Sequence, residues 1–220
     1  MDIVIPIFPK FTALDAIGPY QVLRGLPEAN VIFVAAQVGL VRSDDGFLGL
    51  NADAALSEID RADVLVVPGG WGTRALIKDE AMLRWVRTIH ETTRYTTSVC
   101  TGSLVLAAAG LLNGIQATTH WAATRLLESL GAHYTPQRVV QQGKIFTAAG
   151  VSAGIDMGLT LAAEIAGDDV AKSIQLSIEY DPQPPFDAGS PAKAGPEIIA
   201  LTGMVKEPAS VPAPEPASAS

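Results

Sequence analysis

The single thiol of the chain, Cys100, lies at a junction between two kinds of sequence. It follows the β-branched run Tyr95–Val99 and precedes the alanine- and leucine-rich run Ser103–Leu112. If the first run is a strand and the second a helix, the cysteine occupies a sharp turn whose helix N-terminus favours thiolate over thiol. A nucleophilic thiol and a buried structural cysteine are equally compatible with this spacing.

A second candidate is the stretch VVPGGWGT, in which an apolar run ends in Gly69 and Gly70. Because glycine has no Cβ, its backbone N–H can approach a ligand closely or form part of an oxyanion hole. Taken alone, a glycine pair after a strand is more often only a turn. Its interest comes from Cys100, because neighbouring parallel strands bring their carboxyl ends to the same edge of a sheet.

Two side chains could move protons beside the thiol. Asp15, in FTALDAIGPYQVL, would have a raised pKa if it were buried next to a thiolate. As a carboxylate at the start of a helix it would stabilise the helix dipole, and the residue pattern alone favours that role. His120, in ATTHWAA, could reach the site, but an interior structural role is favoured. No imidazole is adjacent to Cys100, because the next residue is Thr101.

Residues 148–167, AAGVSAGIDMGLTLAAEIAG, combine a glycine-rich start with an apolar helix of small residues. Gly150 and Val151 could line a pocket with backbone groups and an apolar wall. Small residues also allow a helix to pack closely on a sheet or across a dimer interface. Core packing alone explains the pattern equally well.

The elements that must position these residues alternate between short apolar strands and helix-like segments, which predicts parallel strands joined by crossover helices. Runs that are apolar on both faces belong in the middle of a sheet covered by helices on both sides. Two hairpins, within residues 38–56 and 138–150, are predicted as antiparallel additions to this parallel core. The predicted strands are Ile3–Phe8, Val31–Ala36, Val64–Val67 and Tyr95–Val99.

Length and composition indicate one soluble globular domain. The 220 residues are 48% hydrophobic and carry a net charge of -8, without the basic cluster that nucleic-acid binding requires. One cysteine allows no internal disulfide, and no leader or membrane span is recognisable, so a cytoplasmic protein is expected. We expect a domain over 1–185, an extended arm over 186–205 and a disordered Pro- and Ala-rich tail over 206–220.

Five stretches are more specific in combination than singly: LDAIGPYQVL, VLVVPGG, TSVCTGSLVLAAAGLLNG, ATTHW and GVSAGIDMGLTLAAE. In this order and spacing they resemble the PfpI-like superfamily, relatives of class I glutamine amidotransferases, from about Ile3 to Pro185. Thr101 after the cysteine, Asp15 in the first loop and the closing QLSIEYDPQPPFDAGSP are most similar to the isocyanide-hydrating members. The resemblance implies a flavodoxin-like α/β sandwich with a nucleophile elbow, and a homodimer.

The implied reaction is hydration of an isocyanide to an N-substituted formamide through a covalent thioimidate, without metal or organic cofactor. The implied partners are the isocyanide, water and a second copy of the chain, with no nucleic acid or membrane. The resemblance also assigns roles to the residues that match the family motifs: Cys100 as nucleophile, Asp15 as acid and base, Thr101 as the residue after the nucleophile, Gly69 and Gly70 as a backbone-donor loop, and Val151 as a pocket wall.

Two other functions are compatible with the same motifs. Regulator domains with an amidotransferase-like fold share several of them, including the THW stretch, so a ligand sensor without catalysis is an alternative. A glyoxal-processing or redox-responsive member would also use a thiolate beside Asp15. Peptidase activity is disfavoured, because the superfamily's proteases have His directly after the cysteine and this chain has Thr101.

Overall fold

The computed structural model describes residues 1–204, so the tail predicted for 206–220 lies outside the described residues. The chain alternates between strands and helices, as the apolar runs predict. In order, the elements are β1 (Asp2–Pro6), α1 (Ala13–Leu23), β2 (Asn30–Ala35), β3 (Gly39–Arg42), β4 (Gly49–Ala52), β5 (Ala54–Ala55), β6 (Val64–Val67), α2 (Thr73–Leu76), α3 (Glu80–Thr92), β7 (Tyr95–Val99), α4 (Gly102–Ala108), β8 (Gln116–Ala117), α5 (Thr124–Ser129), β9 (His133–Tyr134), β10 (Val139–Gln142), β11 (Ile145–Ala148), α6 (Ala153–Ala166), α7 (Asp168–Ser177) and α8 (Pro191–Leu201).

Seven strands of the described part form one sheet, in the order β10-β11-β7-β6-β1-β2-β5. All neighbours pair in parallel except β10, which runs antiparallel to β11 at one edge. The four residues of β6 are all buried, as expected for a strand that other strands flank and helices cover on both faces. The predicted α/β sandwich with a mostly parallel sheet is therefore confirmed.

The core is divided between the two faces of the sheet. On β1, Ile3 and Ile5 face a cluster that includes residues of α1, α6 and α7, whereas Val4 faces a cluster from α3, α4 and α5. This alternation follows from the two-residue period of a strand. Full burial of one such side chain stabilises the fold by about 1.5–3 kcal/mol. The layers hold the carboxyl ends of β6 and β7 side by side.

The two predicted hairpins have different outcomes. The pair β10 and β11 is antiparallel and joins the main sheet at its edge, as predicted. The pair β3 and β4 is also antiparallel, but it forms a separate two-stranded sheet instead of an addition to the core sheet. Only Val41 of β3 is buried, so this strand lacks the apolar surface that a place inside the sheet requires.

The predicted extended conformation of the arm over 186–205 is wrong for its central part, because Pro191–Leu201 is helical. Proline is tolerated at the first position of a helix, and the alanine and isoleucine residues that follow are compatible with one. The helix is kinked where Gly195, at φ 77°, precedes Pro196. Its residues Pro191, Ala194 and Ile198 line a pocket with Trp121. Within residues 1–204, no helix combines the length and the apolar character needed to cross a membrane.

Candidate active site

The cysteine occupies a strand-to-helix turn, as its spacing predicts. Cys100 follows β7 directly, has φ 56°, and is only 5% exposed. A positive φ is unfavourable for a residue with a Cβ, and such backbone strain is concentrated at functional sites. The turn is closely packed against β6: a Cβ on Gly102 would lie 2.0 Å from the carbonyl oxygen of Val67. Only glycine fits there.

Hydrogen bonds hold both backbone groups of Cys100. Its N–H donates to the carbonyl oxygens of Ala148 (3.1 Å) and Ala149 (2.9 Å), at the end of β11. Its carbonyl oxygen accepts from the hydroxyls of Ser103 and Thr119, each at 3.1 Å. Sequence reasoning missed Thr119, although it directly precedes His120 in the THW stretch.

Asp15 is fully buried in the first turn of α1, and its Oδ2 accepts a hydrogen bond of 2.9 Å from the N–H of Gly69. Burial, with a smaller contribution from the nearby charge of Asp44, raises the pKa of Asp15 to about 7. The Gly69 N–H and the Cys100 thiol act in the opposite direction, because they favour the carboxylate. Among the described residues, no group bonds to Oδ1 of this carboxyl.

Cys100 and Asp15 titrate as a pair. Burial raises the pKa of the Cys100 thiol well above its usual value, and the negative charge of Asp15 adds to the effect. The backbone N–H groups of Val151 and Thr101 stabilise the thiolate and lower the pKa in part. Strongly interacting groups lose their protons in steps that belong to the pair. The pair therefore loses one proton near pH 7 and keeps the second to much higher pH.

The N–H groups of Gly69 and Gly70, for which the sequence predicts an oxyanion hole, both make hydrogen bonds within the protein. The N–H of Gly69 is used by Asp15, and the N–H of Gly70 donates to Thr101 Oγ1 at 2.9 Å. Thr73, which sequence reasoning missed, is buried and donates from its hydroxyl to the Gly70 carbonyl at 2.8 Å. The glycine loop thus positions the acid and the elbow, and its two N–H groups are already occupied by the protein.

The absence of a side chain at Gly69 is a steric requirement. A Cβ there would lie 2.5 Å from the backbone nitrogen of Thr101 and 2.8 Å from Oδ2 of Asp15. Atoms do not approach that closely without displacement. The close contact between the loop, the elbow and the carboxyl therefore depends on this glycine.

Val151 and Gly150 lie between β11 and α6, beside the thiol. Val151 has φ 30°, an uncommon conformation for a β-branched residue, and its N–H faces Cys100. A Cβ on Gly150 would lie 2.8 Å from Cδ2 of His120. His120 is half-buried and its Nδ1 accepts from the N–H of Ala122 at 3.2 Å. These contacts are compatible with the structural role that the sequence favours for His120, which stays a prediction.

The fold and this arrangement of residues have recognised relatives. A model of the DJ-1/PfpI family matches residues 1–164. The chain belongs to the DJ-1/PfpI family. It is 47% identical over 193 residues to an isonitrile hydratase from Pseudomonas putida, an alignment that covers 88% of this chain and 84% of the relative. Isonitrile is another name for isocyanide.

Two further relatives extend the comparison. The structure of a ThiJ/PfpI family protein from Pseudomonas syringae superimposes with a TM-score of 0.87 at 38% identity, covering 92% of this chain and 84% of that one. The HTH-type transcriptional regulator CdhR from Pseudomonas aeruginosa is 32% identical over 81% of this chain and 53% of its own length. This chain therefore spans about half of the regulator.

Five of the predicted site residues lie together at one edge of the sheet: Cys100, Asp15, Thr101, Gly69 and Val151. Within residues 1–204, no group of three or more His, Cys, Asp or Glu side chains could hold a metal ion. The arrangement offers a thiol that can attack carbon, a carboxyl that can exchange a proton near neutrality, and backbone N–H groups that stabilise negative charge.

Proposed function

We propose that this protein is an isonitrile hydratase, a lyase that converts R–N≡C to the N-substituted formamide through a thioimidate on Cys100. The buried pair of Cys100 and Asp15 carries the proposal, because it joins a nucleophile to a proton donor that is poised near neutral pH. The 47% identity to a protein named isonitrile hydratase supports the substrate class. The reaction changes no oxidation state and needs only water as co-reactant.

In the first step the pair carries one proton, which the raised pKa of the thiol keeps on sulfur while Asp15 is a carboxylate, and Asp15 takes this proton as the sulfur attacks. The sulfur forms a bond to the terminal carbon of the isonitrile, and the same carbon takes the proton from Asp15. The product is the thioimidate R–N=CH–S–Cys, with Asp15 now a carboxylate. Because the N–H of Gly69 holds Oδ2, the unbonded Oδ1 is the oxygen that we assign to proton transfer.

In the second step Asp15 acts as the base. It takes a proton from water while the oxygen adds to the thioimidate carbon, and it then returns that proton to nitrogen, giving R–NH–CH(OH)–S–Cys. The C–S bond breaks as Asp15 takes the hydroxyl proton, which releases R–NH–CHO. Asp15 then returns this proton to the Cys100 sulfur, which restores the thiol and the carboxylate, so the cycle closes. The N–H groups of Val151 and Thr101 stabilise the departing thiolate.

We also propose a homodimer in the cytoplasm, where a reducing environment would keep the lone thiol of Cys100 reduced. Support for self-association comes from the hairpin of β3 and β4, which presents a group of apolar side chains to solvent. Sedimentation velocity on the full chain measures the oligomeric state directly. The exposed side chains are Val38, Leu40, Phe47 and Leu48, with 87% of Phe47 exposed.

A ligand sensor is the second candidate, and the 32% identity to a transcriptional regulator favours it. In that case the pocket would bind its ligand without turnover. The catalytic proposal has stronger support, because a sensor gains nothing from a strained nucleophile elbow beside a proton donor.

The deciding experiment follows formamide formation from an aryl isonitrile by wild-type protein and by C100A, with methylglyoxal as a parallel substrate. We expect turnover by the wild type, none by C100A, and an intact-mass adduct on the wild type equal to one substrate. Full turnover by C100A would exclude the covalent route. Binding without turnover by fully reduced wild type would favour the sensor, and turnover of methylglyoxal alone would favour the carbonyl-processing function.

A further inference from the structure

The segment between β11 and α6, residues 149–152, carries the backbone N–H of Val151, which the proposed reaction needs. Val151 directs its N–H at the Cys100 thiol from a backbone conformation that β-branched residues rarely adopt. Such a conformation persists only when the surrounding structure restrains it. Groups outside the site must therefore hold the segment in place.

Arg138, immediately before β10, holds this segment on both sides of Val151. Its carbonyl oxygen accepts a hydrogen bond of 2.9 Å from the N–H of Ala149. Its guanidinium reaches past Val151, where Nη2 donates to Ser152 Oγ at 3.1 Å and Nε donates to Asp156 Oδ2. One residue thus fixes the chain two positions before Val151 and one position after it.

Asp156, which binds the guanidinium of Arg138, is itself held in place by a second residue. Asp156 lies in the first turn of α6, where a carboxylate stabilises the positive end of the helix dipole. While Oδ2 binds Arg138, Oδ1 accepts a hydrogen bond of 2.9 Å from the hydroxyl of Tyr180. Tyr180 follows α7, in the stretch QLSIEYDPQ, for which the proposed reaction has no other use.

We propose that Arg138 is a positioning residue that keeps the Val151 N–H aimed at the Cys100 sulfur by holding Ala149 and Ser152 together. This inference rests on the proposed function in one respect, namely that Cys100 acts as a thiolate. Arg138 is not a catalytic residue, because it touches no reacting atom. Its side chain is 49% exposed, and an exposed ion pair contributes little to stability, so its effect should be on the thiol.

The test measures alkylation of Cys100 by iodoacetamide against pH, followed by intact mass; the chain has no other cysteine. Asp15 faces the thiol and Asp44 acts on Asp15; both carboxylates are unchanged in the variants. In R138Q we expect about tenfold slower alkylation at pH 7.5 and a profile displaced upward by about one pH unit, because a hydrogen bond to a thiolate is lost.

Two variants control this result. R87Q removes an exposed ion pair on α3, whose charged atoms are 3.7 Å apart, and should leave the profile unchanged. R138K keeps a cation beside Asp156 and should restore at least part of the loss.

An unchanged profile in folded R138Q overturns the inference. If R138Q does not fold, Y180F is the deciding variant, because it removes the hydrogen bond from Tyr180 to Asp156. We expect Y180F to displace the alkylation profile in the same direction by a smaller amount. No displacement would refute the role of the contacts among Arg138, Asp156 and Tyr180. Because alkylation needs no isonitrile, the result does not depend on turnover. A wild type that hydrates no isonitrile contradicts the proposed function and leaves this test intact.

Discussion

Asp15→Asn should make the protein more stable and far less active. The substitution keeps the shape of the side chain and an oxygen that accepts the Gly69 N–H, but it removes the ability to ionise. In the wild type, burial raises the pKa of Asp15 from 3.8 to about 7. The folded state therefore binds a proton that the unfolded state has already lost between these two values, and the free energy of unfolding falls as pH rises through that range.

The size of the stability difference between D15N and wild type follows from the rise in the pKa of Asp15. The difference of roughly three pH units, at about 1.36 kcal/mol per unit, gives an upper bound of about 4 kcal/mol. D15N escapes this loss, so its stability relative to wild type should increase by up to that amount between pH 4 and pH 8. For a chain of this size, 1 kcal/mol corresponds to roughly 2–4 °C in Tm, so the difference in Tm should grow by about 8–16 °C.

The assay is thermal or urea unfolding at pH 4, 6 and 8 for the wild type, D15N and D169N. Asp169 is a fully exposed carboxylate on α7, so D169N controls for the loss of a negative charge. In parallel, isonitrile hydration by D15N should fall about 10²–10⁴-fold, the usual contribution of a general acid and base. A constant difference in stability between wild type and D15N across this pH range would refute burial as the cause of the raised pKa.

Two further outcomes are expected. In wild type, kcat/KM for an isonitrile should rise with pH to a plateau with an apparent pKa of about 7, because the pair must lose one of its two protons; a flat profile from pH 5 to 9 would contradict this. Gly69→Ala should cost about 1–3 kcal/mol in unfolding free energy and at least 100-fold in hydration, because its Cβ would displace Asp15 and Thr101. Gly189→Ala, which meets no atom within 4 Å, should change neither; equal effects of the two substitutions would refute the steric argument.

The central strands could be predicted from the sequence because their apolar runs have a single structural explanation. The observed bounds of β6 and β7 are the predicted ones, Val64–Val67 and Tyr95–Val99. The turn at Cys100 follows from those bounds, since the small residues after β7 begin a helix. The α8 helix escaped prediction, because a segment rich in proline and glycine gives no periodic apolar signal.

The use of the glycine N–H groups could not be predicted. Gly69 bonds to Asp15 across 54 positions of sequence, and Gly70 bonds to Thr101 across 31 positions. Whether such an N–H is available to a ligand depends on what the fold places against it, and local sequence carries no information about that. For the same reason Asp15 gives the pattern of a helix-start carboxylate, and only its burial reveals the raised pKa.

The backbone of Cys100 is anchored through both its N–H and its carbonyl group, to Ala148, Ala149, Ser103 and Thr119. With the main chain fixed, rotation about the Cα–Cβ bond is the one torsion through which the sulfur can travel. The sulfur, with any substrate fragment bonded to it, therefore moves along an arc about a fixed Cα–Cβ axis. Discrimination among isonitriles then depends on whether the N-substituent avoids steric clashes with the pocket along the whole arc. A substituent that fits at one end of the rotation can still be excluded because it clashes part-way.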